Sequence, residues 1–96
     1  MKIYIAGKIT DNPKYQLEFG VAESVLRTQG HIPMNPACLP PGFEHHEYMQ
    51  ICFNMIEVCE AVYMLNNWKD SKGAVMEHEY AKSKDKWIKY QKEVEA

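Results

Sequence analysis

The sequence lacks the long apolar run that a membrane helix requires, since none of its hydrophobic stretches approaches ~20 residues. Its first residues run straight into a strand pattern and lack the apolar core of a signal peptide. Cys38, Cys52 and Cys59 are odd in number and include no CxxC pair, which argues against a disulfide framework or a zinc knuckle. These absences predict a reducing compartment, and we expect a cytoplasmic protein.

An excess of positive charge is also lacking, because the formal net charge is -2 and the Lys and Arg residues are scattered along the chain. A surface without a basic patch is poorly suited to hold a nucleic-acid backbone. We therefore expect neither a polynucleotide nor a membrane as partner, and we expect a small-molecule ligand.

No linker, internal repeat or low-complexity stretch divides the 96 residues, which fit one domain. We predict a single domain over residues 1–90 and a charged tail over residues 91–96. Because a domain of this size buries a modest share of its surface, association with further copies would add stability. We expect a homodimer or a higher homo-oligomer.

Strand-like and helix-like patterns alternate along the chain. Strands are predicted at residues 2–6, 31–35 and 61–65, with a last edge strand at 87–90. Helices are predicted from Pro13 to Gly30, capped by Asp11 or Asn12, and over residues 44–59 and 73–84. The alternation predicts the α/β class, as a small Rossmann-like (flavodoxin-like) three-layer sandwich with a parallel sheet of three to four strands in the order 2-1-3-4.

In the first helix, Leu17, Val21 and Val25 form one apolar stripe, and further apolar residues lie beside it. We expect this helix to pack along a broad face. The second helix is apolar nearly all round, which predicts that it is covered on several sides, including by a partner subunit.

In a 2-1-3 order the chain leaves strands one and three in opposite directions, and such sheets bind ligands in the crevice beyond that point. The loops that line the crevice are residues 7–12 and 66–73. Asp70, Ser71 and Gly73 bring a hydroxyl, a close-approach glycine and free amides to a helix start, which suits a phosphate, and Lys8 can add a positive charge. An ordinary capped helix start also explains the same residues.

Glu77 is the leading catalytic candidate, because helical spacing places it with Gly73, Ala74 and Ala81 on the apolar face of the third helix. A buried carboxylate near a helix start can serve as a nucleophile, although a glutamate is also favoured there by the helix dipole alone. Tyr4 lies near the end of the first strand, where its phenol can orient that carboxylate or simply belong to the core.

Two further candidates complete the substrate-binding set. Trp68, at the tip of the third loop, is a plausible lid that stacks on a base, and Asn35 ends the second predicted strand.

The run His45, His46 and Glu47 invites a metal interpretation, but adjacent helical residues point about 100 degrees apart and do not easily share an ion. We expect no metal and no cofactor.

Two segments, residues 3–10 (IYIAGKIT) and 71–81 (SKGAVMEHEYA), resemble the nucleoside 2-deoxyribosyltransferase superfamily and its relatives, the deoxynucleoside 5'-monophosphate N-glycosidases. The chain is most similar to short phage and bacterial members that form a domain of unknown function. The resemblance implies that Glu77 attacks the anomeric carbon, that Tyr4 orients it and that Ser71 holds a phosphate. It also places Gly7, Lys8 and Ile9 against the sugar or phosphate, and it implies active sites completed by a neighbouring subunit.

One position departs from the superfamily, whose catalytic aspartate aligns with Cys52 when counted back from Glu60. An acid there assists departure of the base, so the cysteine leaves the leaving group without an obvious proton donor. Asp70 and Glu57 are the candidate substitutes for that acid. The resemblance implies an N-glycosidase or deoxyribosyltransferase, with a non-catalytic protein that binds a nucleotide or a nucleotide-derived signal as the alternative. A third interpretation is a scaffold whose oligomer surface contains Met49, Phe53 and Met55.

Overall fold

The fold is an α/β sandwich around a four-stranded parallel sheet, described for residues 1–92 by a computed structural model. The strands are β1 (Lys2–Ala6), β2 (Ile32–Met34), β3 (Ala61–Met64) and β4 (Trp87–Tyr90). The helices are α1 (Tyr15–Thr28), α2 (His45–Val58) and α3 (Lys72–Ser83), with short 3₁₀ turns at Pro36–Cys38 and Trp68–Asp70. The strand order β2-β1-β3-β4 confirms the predicted fold class and topology.

The central strands β1 and β3 are buried on both faces because helices cover each side of the sheet. Side chains alternate along β1, so Ile3 and Ile5 pack against α1 on one face. Tyr4 and Ala6 point to the other face, where α2 and α3 pack. The alternation therefore places Tyr4 on the α2 and α3 side of the sheet.

Helix α1 differs from the sequence prediction at its start and along its apolar face. It begins at Tyr15, where no side chain caps it, and Asn12 Oδ1 instead accepts a bond from the Lys14 amide at 3.2 Å. The prediction of a broad packed face was wrong for one stripe: Leu17, Val21 and Val25 are 67%, 51% and 42% exposed. A single sheet lies beneath the helix, and it covers only the adjacent stripe of Phe19, Ala22 and Leu26.

Helix α2 is buried on one side, which carries Met49, Cys52 and Ile56. Val58, elsewhere on the helix, is 60% exposed. Cover on several sides is therefore not provided by this chain alone, and cover by a partner subunit stays a prediction. None of the helices in residues 1–92 is long and apolar enough to cross a membrane.

The chain end is tied to the sheet through Gln91, whose amide donates to Met64 O at 2.8 Å and whose side chain accepts from the Asn66 amide at 2.9 Å. Most of the charged tail predicted for residues 91–96 lies outside the described residues, which end at residue 92.

Gly7 joins β1 to the crevice at a point where the backbone leaves no room for a side chain. A methyl group on Gly7 would lie 2.7 Å from Leu65 Cδ1 and 3.0 Å from Leu65 Cβ, and Leu65 is fully buried. We expect Gly7→Ala to lower the free energy of unfolding by roughly 1–3 kcal/mol, since an overpacked core must shift. Urea unfolding measures this effect.

Gly20 supplies the matched control, because it lies within α1 and a methyl group there meets nothing within 4 Å. Gly20→Ala should raise the free energy of unfolding by roughly 0.5–1 kcal/mol through helix propensity. If the free energy of unfolding changes in the same direction in both variants, the close packing at Gly7 is contradicted.

Candidate active site

A buried tyrosine and a buried glutamate meet where the C-terminal ends of β1 and β3 face the start of α3. The Tyr4 hydroxyl donates a hydrogen bond of 2.7 Å to Glu77 Oε2. Glu77 lies in the second turn of α3, one turn beyond Gly73, and that position directs it toward the sheet. The contact joins residues 73 positions apart, so the parallel fold itself builds this pair.

Burial sets the ionisation of both groups. Removal from water raises the pKa of Glu77 to about 7, against hydrogen bonding from the Tyr4 hydroxyl and the Cys52 thiol, which favours the charged form. Burial, followed by the charge of Glu77, holds the pKa of Tyr4 well above its ordinary value of 10.0. The carboxylate is therefore near its titration midpoint at neutral pH, while the phenol keeps its proton.

Cys52 is the third member of this buried group and projects from α2. It is 6% exposed, and burial together with the nearby charge of Glu77 raises the pKa of its thiol to about 12. A thiol with such a pKa is neutral at physiological pH and is a poor nucleophile. Cys52 therefore acts as a small proton-holding neighbour of the carboxylate.

Glu77 and Tyr4 form the floor of a cavity of about 690 Å³. The loop after β1 contributes Gly7, Lys8 and Ile9 to its wall. The segment before and within the first turn of α3 contributes Asp70, Ser71 and Gly73. The two loops that the topology singled out thus line one cavity, whose volume matches small-molecule sites.

The start of α3 gives one end of the cavity an anion-binding character. Ser71 Oγ caps the helix by accepting from the Ala74 amide at 3.1 Å. The amides of Lys72 and Gly73 are among the first of the helix, which have no partner within it. Lys8 and Lys72 line the same cavity, so positive charge and amide dipoles converge on this end.

A hydrogen-bond network holds the two loops in place. The Lys8 amide donates to Asn67 Oδ1 at 3.2 Å, and Asn12 Nδ2 donates to Lys8 O at 2.8 Å. The amide groups of Asn12 and Asn67 both donate to Glu18 Oε1, at 2.7 and 3.2 Å. Glu18 of α1 therefore connects both walls of the cavity.

Two predicted site residues lie elsewhere. Asn35 Oδ1 accepts from the Ala37 amide at 2.9 Å and so caps the 3₁₀ turn after β2, which occupies the side chain in local structure. The Trp68 ring stacks on His78 with centroids 4.2 Å apart and lines a separate, smaller depression with Tyr90. Trp68 is thus not a lid over this cavity, and neither residue remains in the candidate set.

Sequence reasoning missed the wall that the second loop and α2 contribute. It contains Pro36, Leu39, Pro41, His45, Tyr48 and Met49. A signal was present, because His45, Met49, Cys52 and Ile56 recur at helical spacing and share one face of α2. That stripe faces the sheet, and its first three members reach the cavity.

The described residues 1–92 contain no group of three or more His, Cys, Asp or Glu side chains that could hold a metal ion. His45 lines the cavity without such partners around it.

These features define a Rossmann-like α/β protein with a ligand cavity at the switch point of a 2-1-3-4 sheet. The chain belongs to the family DUF4406, described as a domain of unknown function, whose model matches residues 1–90.

Among solved structures, the chain is similar to a 2-desoxiribosyltransferase from Leishmania mexicana, with a TM-score of 0.73 and 18% identity. The match covers 93% of this chain and 62% of that one, so the chain spans less than two thirds of that protein's length. At this identity the likeness shows the fold. No curated protein matches the chain.

Proposed function

We propose that this protein cleaves the N-glycosidic bond of a small nucleoside or nucleotide, with Glu77 as the nucleophile. The observation that carries the proposal is the buried Tyr4 to Glu77 hydrogen bond of 2.7 Å on the floor of a nucleotide-sized cavity. The fold shared with a 2-desoxiribosyltransferase supports the same class of substrate.

In the proposed reaction, Glu77 attacks the anomeric carbon C1' and the bond from C1' to the base nitrogen breaks. The electron pair of that bond leaves with the base, and a glycosyl-enzyme ester remains. Water then attacks C1', releases Glu77 and gives its proton to solvent, which completes a hydrolysis. A second base in place of water gives transfer.

The anion-binding end supports a phosphorylated sugar. We place a 5'-phosphate beside Ser71 and the first amides of α3, in a cavity that Lys8 and Lys72 also line. Gly7 and Ile9 line the wall on which we place the sugar. Asp70 stands at the exposed rim of the same end.

The experiment is incubation of the purified protein with deoxynucleosides and their monophosphates, including both neutral and quaternised bases, with free base followed by chromatography. Intact-mass spectrometry after rapid quenching should detect the sugar ester on the protein. If no member of the panel releases base, the proposed reaction is excluded.

A second candidate function is non-catalytic nucleotide binding, and Cys52 is the observation that favours it. Its neutral thiol lies where a stronger acid would help a base depart. A rise in melting temperature with a nucleotide, without any release of base, would identify this function.

Tyr4→Phe should lower kcat by roughly 10 to 100-fold, since Tyr4 positions the nucleophile and small misplacements are costly. The variant also loses a hydrogen bond that favours ionised Glu77, so the pKa of this carboxyl, which burial raises to about 7, should rise further. The rise of kcat/KM with pH should therefore move to higher pH than in the wild type. A pH-rate profile measures both effects.

Tyr63→Phe is the matched control, because Tyr63 is buried on the opposite face of the sheet, in the core beneath α1. We expect its pH-rate profile to overlay the wild type. An unshifted profile for Tyr4→Phe would contradict a positioning role and leave Tyr4 as a core residue.

We also propose a homo-oligomer. The supporting observation is the exposed apolar stripe Leu17, Val21 and Val25 on α1, which a second copy would cover. Light scattering at micromolar concentration should give at least twice the 11.2 kDa chain mass. Met49, which the sequence placed on an oligomer surface, is instead buried against the cavity.

A further inference from the structure

The floor of the cavity holds one carboxylate and two weak acids. Glu77, Tyr4 and Cys52 are each buried and lie together between β1, α2 and α3. Asp11, His45 and Asp70 also line the cavity, but all three are exposed and stand at its rim. Glu77 therefore has no second buried carboxyl group beside it within residues 1–92.

The two buried neighbours of Glu77 are unsuited to give up a proton at neutral pH. Burial raises the pKa of Cys52 to about 12 and holds that of Tyr4 well above 10.0. Effective general acids have a pKa near the working pH. If Glu77 serves as the nucleophile, the floor keeps no group of the right strength for the leaving base.

The lack of a general acid on the cavity floor divides nucleotides into two classes, according to whether the leaving base needs a proton. When the bond from C1' to nitrogen breaks, its electron pair goes to the base. A neutral purine or pyrimidine then departs as an anion unless an acid protonates it, and such an acid contributes roughly 10²–10⁴ in rate. A base that already carries a quaternised ring nitrogen accepts the pair and departs neutral, so it requires no proton.

We propose, as a refinement that rests on the proposed function, that this site is selective for nucleotides whose base carries a fixed positive charge. The class includes N-ribosyl or N-deoxyribosyl pyridinium nucleotides and N-alkylated purine nucleotides, which share a cationic heteroaromatic ring. Cys52 is the specificity-determining residue, because it occupies the floor beside Glu77 without supplying an acid.

The cavity wall is compatible with such a ring. Phe19 is fully buried, but the half-buried Tyr15 lines the cavity with an aromatic ring, and such rings attract cations over their faces. The carboxylate of Asp11, in the loop after β1, also lines the cavity. We place the base on this side of the cavity, and the phosphate beside Lys72 and the start of α3.

The test uses two substrates that differ by one methyl group, 7-methyl-2'-deoxyguanosine 5'-monophosphate and 2'-deoxyguanosine 5'-monophosphate. Release of each base is measured at pH 7 and corrected for spontaneous loss in an enzyme-free blank. We expect the ratio of the wild-type kcat/KM values, methylated over unmethylated nucleotide, to be at least as large as the ratio of the two blanks, because the site supplies no acid to speed departure of the neutral base.

Cys52→Asp tests the residue directly, because two adjacent carboxyl groups share a proton and one of them can then act as an acid. This variant should raise the release of unmodified guanine by roughly 100-fold. The ratio of kcat/KM for the methylated nucleotide to that for the unmethylated one should fall accordingly. Cys52→Asn is the matched control, which has similar volume and polarity but no acidic proton and should not narrow the ratio. Far-UV circular dichroism checks that both variants are folded.

Each outcome has a distinct meaning. A wild-type ratio clearly smaller than the ratio of the blanks would show that an acid in the site assists the neutral base, which would overturn the selectivity and leave the proposed reaction standing. Release of neither base by any of the three proteins would overturn the proposed reaction together with the refinement. If Cys52→Asn lowers the ratio of the two kcat/KM values as much as Cys52→Asp does, the absence of an acid at position 52 is not the cause of the selectivity, and the refinement is overturned.

Discussion

Glu77→Gln should lower kcat/KM for base release by roughly 10³-fold or more, which corresponds to at least about 4 kcal/mol of transition-state stabilisation. An amide oxygen is a far weaker nucleophile than a carboxylate, while its shape is nearly the same. The Tyr4 hydroxyl can still donate to the amide oxygen in place of Oε2, so the cavity should keep its form. Ligand binding, followed by thermal shift, should therefore persist while release is lost.

Glu79→Gln is the matched control, because it makes the same substitution two residues along the same helix. The Glu79 side chain is 67% exposed and contacts the His78 ring at 3.5 Å on the outer side of α3. We expect activity close to wild type. Equal losses in the two variants would mean that charge on α3, and not the nucleophile, controls the rate.

The sugar ester provides an independent measure of the same role. Quenched wild-type reactions should contain protein whose mass has increased by one deoxyribosyl phosphate, and Glu77→Gln should not accumulate this species. An ester found on the variant would assign the nucleophile to another residue.

The central pair was accessible from the sequence because it depends on local periodicities. Alternation along β1 separates Tyr4 from Ile3 and Ile5, and helical spacing groups Glu77 with Gly73 and Ala81. The strand order then places the end of β1 beside the start of α3. Each step follows from backbone geometry, and together they led to a hydrogen bond between distant parts of the chain.

The errors concern side chains whose direction depends on tertiary neighbours. Trp68 follows β3 closely and was expected over the ligand, but His78 and Tyr90 form an aromatic surface that holds its ring on the other side of α3. Nothing in the local pattern around Trp68 indicates this contact. Asn35 likewise serves the turn that follows it, since its carbonyl oxygen reaches the amide two residues on.

Cys52 illustrates a different limit. Its position in an apolar helix favoured a small buried hydrophobe, and it is buried. Its contact with Glu77 and Tyr4 depends on how α2 crosses the sheet, which periodicity alone does not determine. Cys52 therefore looks like an ordinary buried residue, but its hydrogen bond also lowers the pKa of the candidate nucleophile Glu77.

The buried carboxyl group should also make the stability of the fold depend on pH in a defined direction. Burial raises the pKa of Glu77 from 4.5 to about 7, so between these values the folded protein binds more protons than the unfolded chain. The free energy of unfolding therefore falls as the pH rises from about 4.5 to about 7, and it levels off above that. The full loss is about 3 kcal/mol, because each pKa unit corresponds to about 1.4 kcal/mol.

Glu77→Gln removes this titration. The difference in unfolding free energy between wild type and variant therefore reports the contribution of Glu77, because the other ionisable groups are present in both proteins. Urea unfolding at intervals from pH 4 to pH 8 should show the wild type losing about 3 kcal/mol relative to the variant. In thermal unfolding the same change corresponds to a relative shift of more than about 10 °C for a chain of this size. Parallel curves would mean that water reaches Glu77 and keeps its pKa ordinary, and the cavity floor would then lack the poised carboxylate on which the proposed chemistry depends.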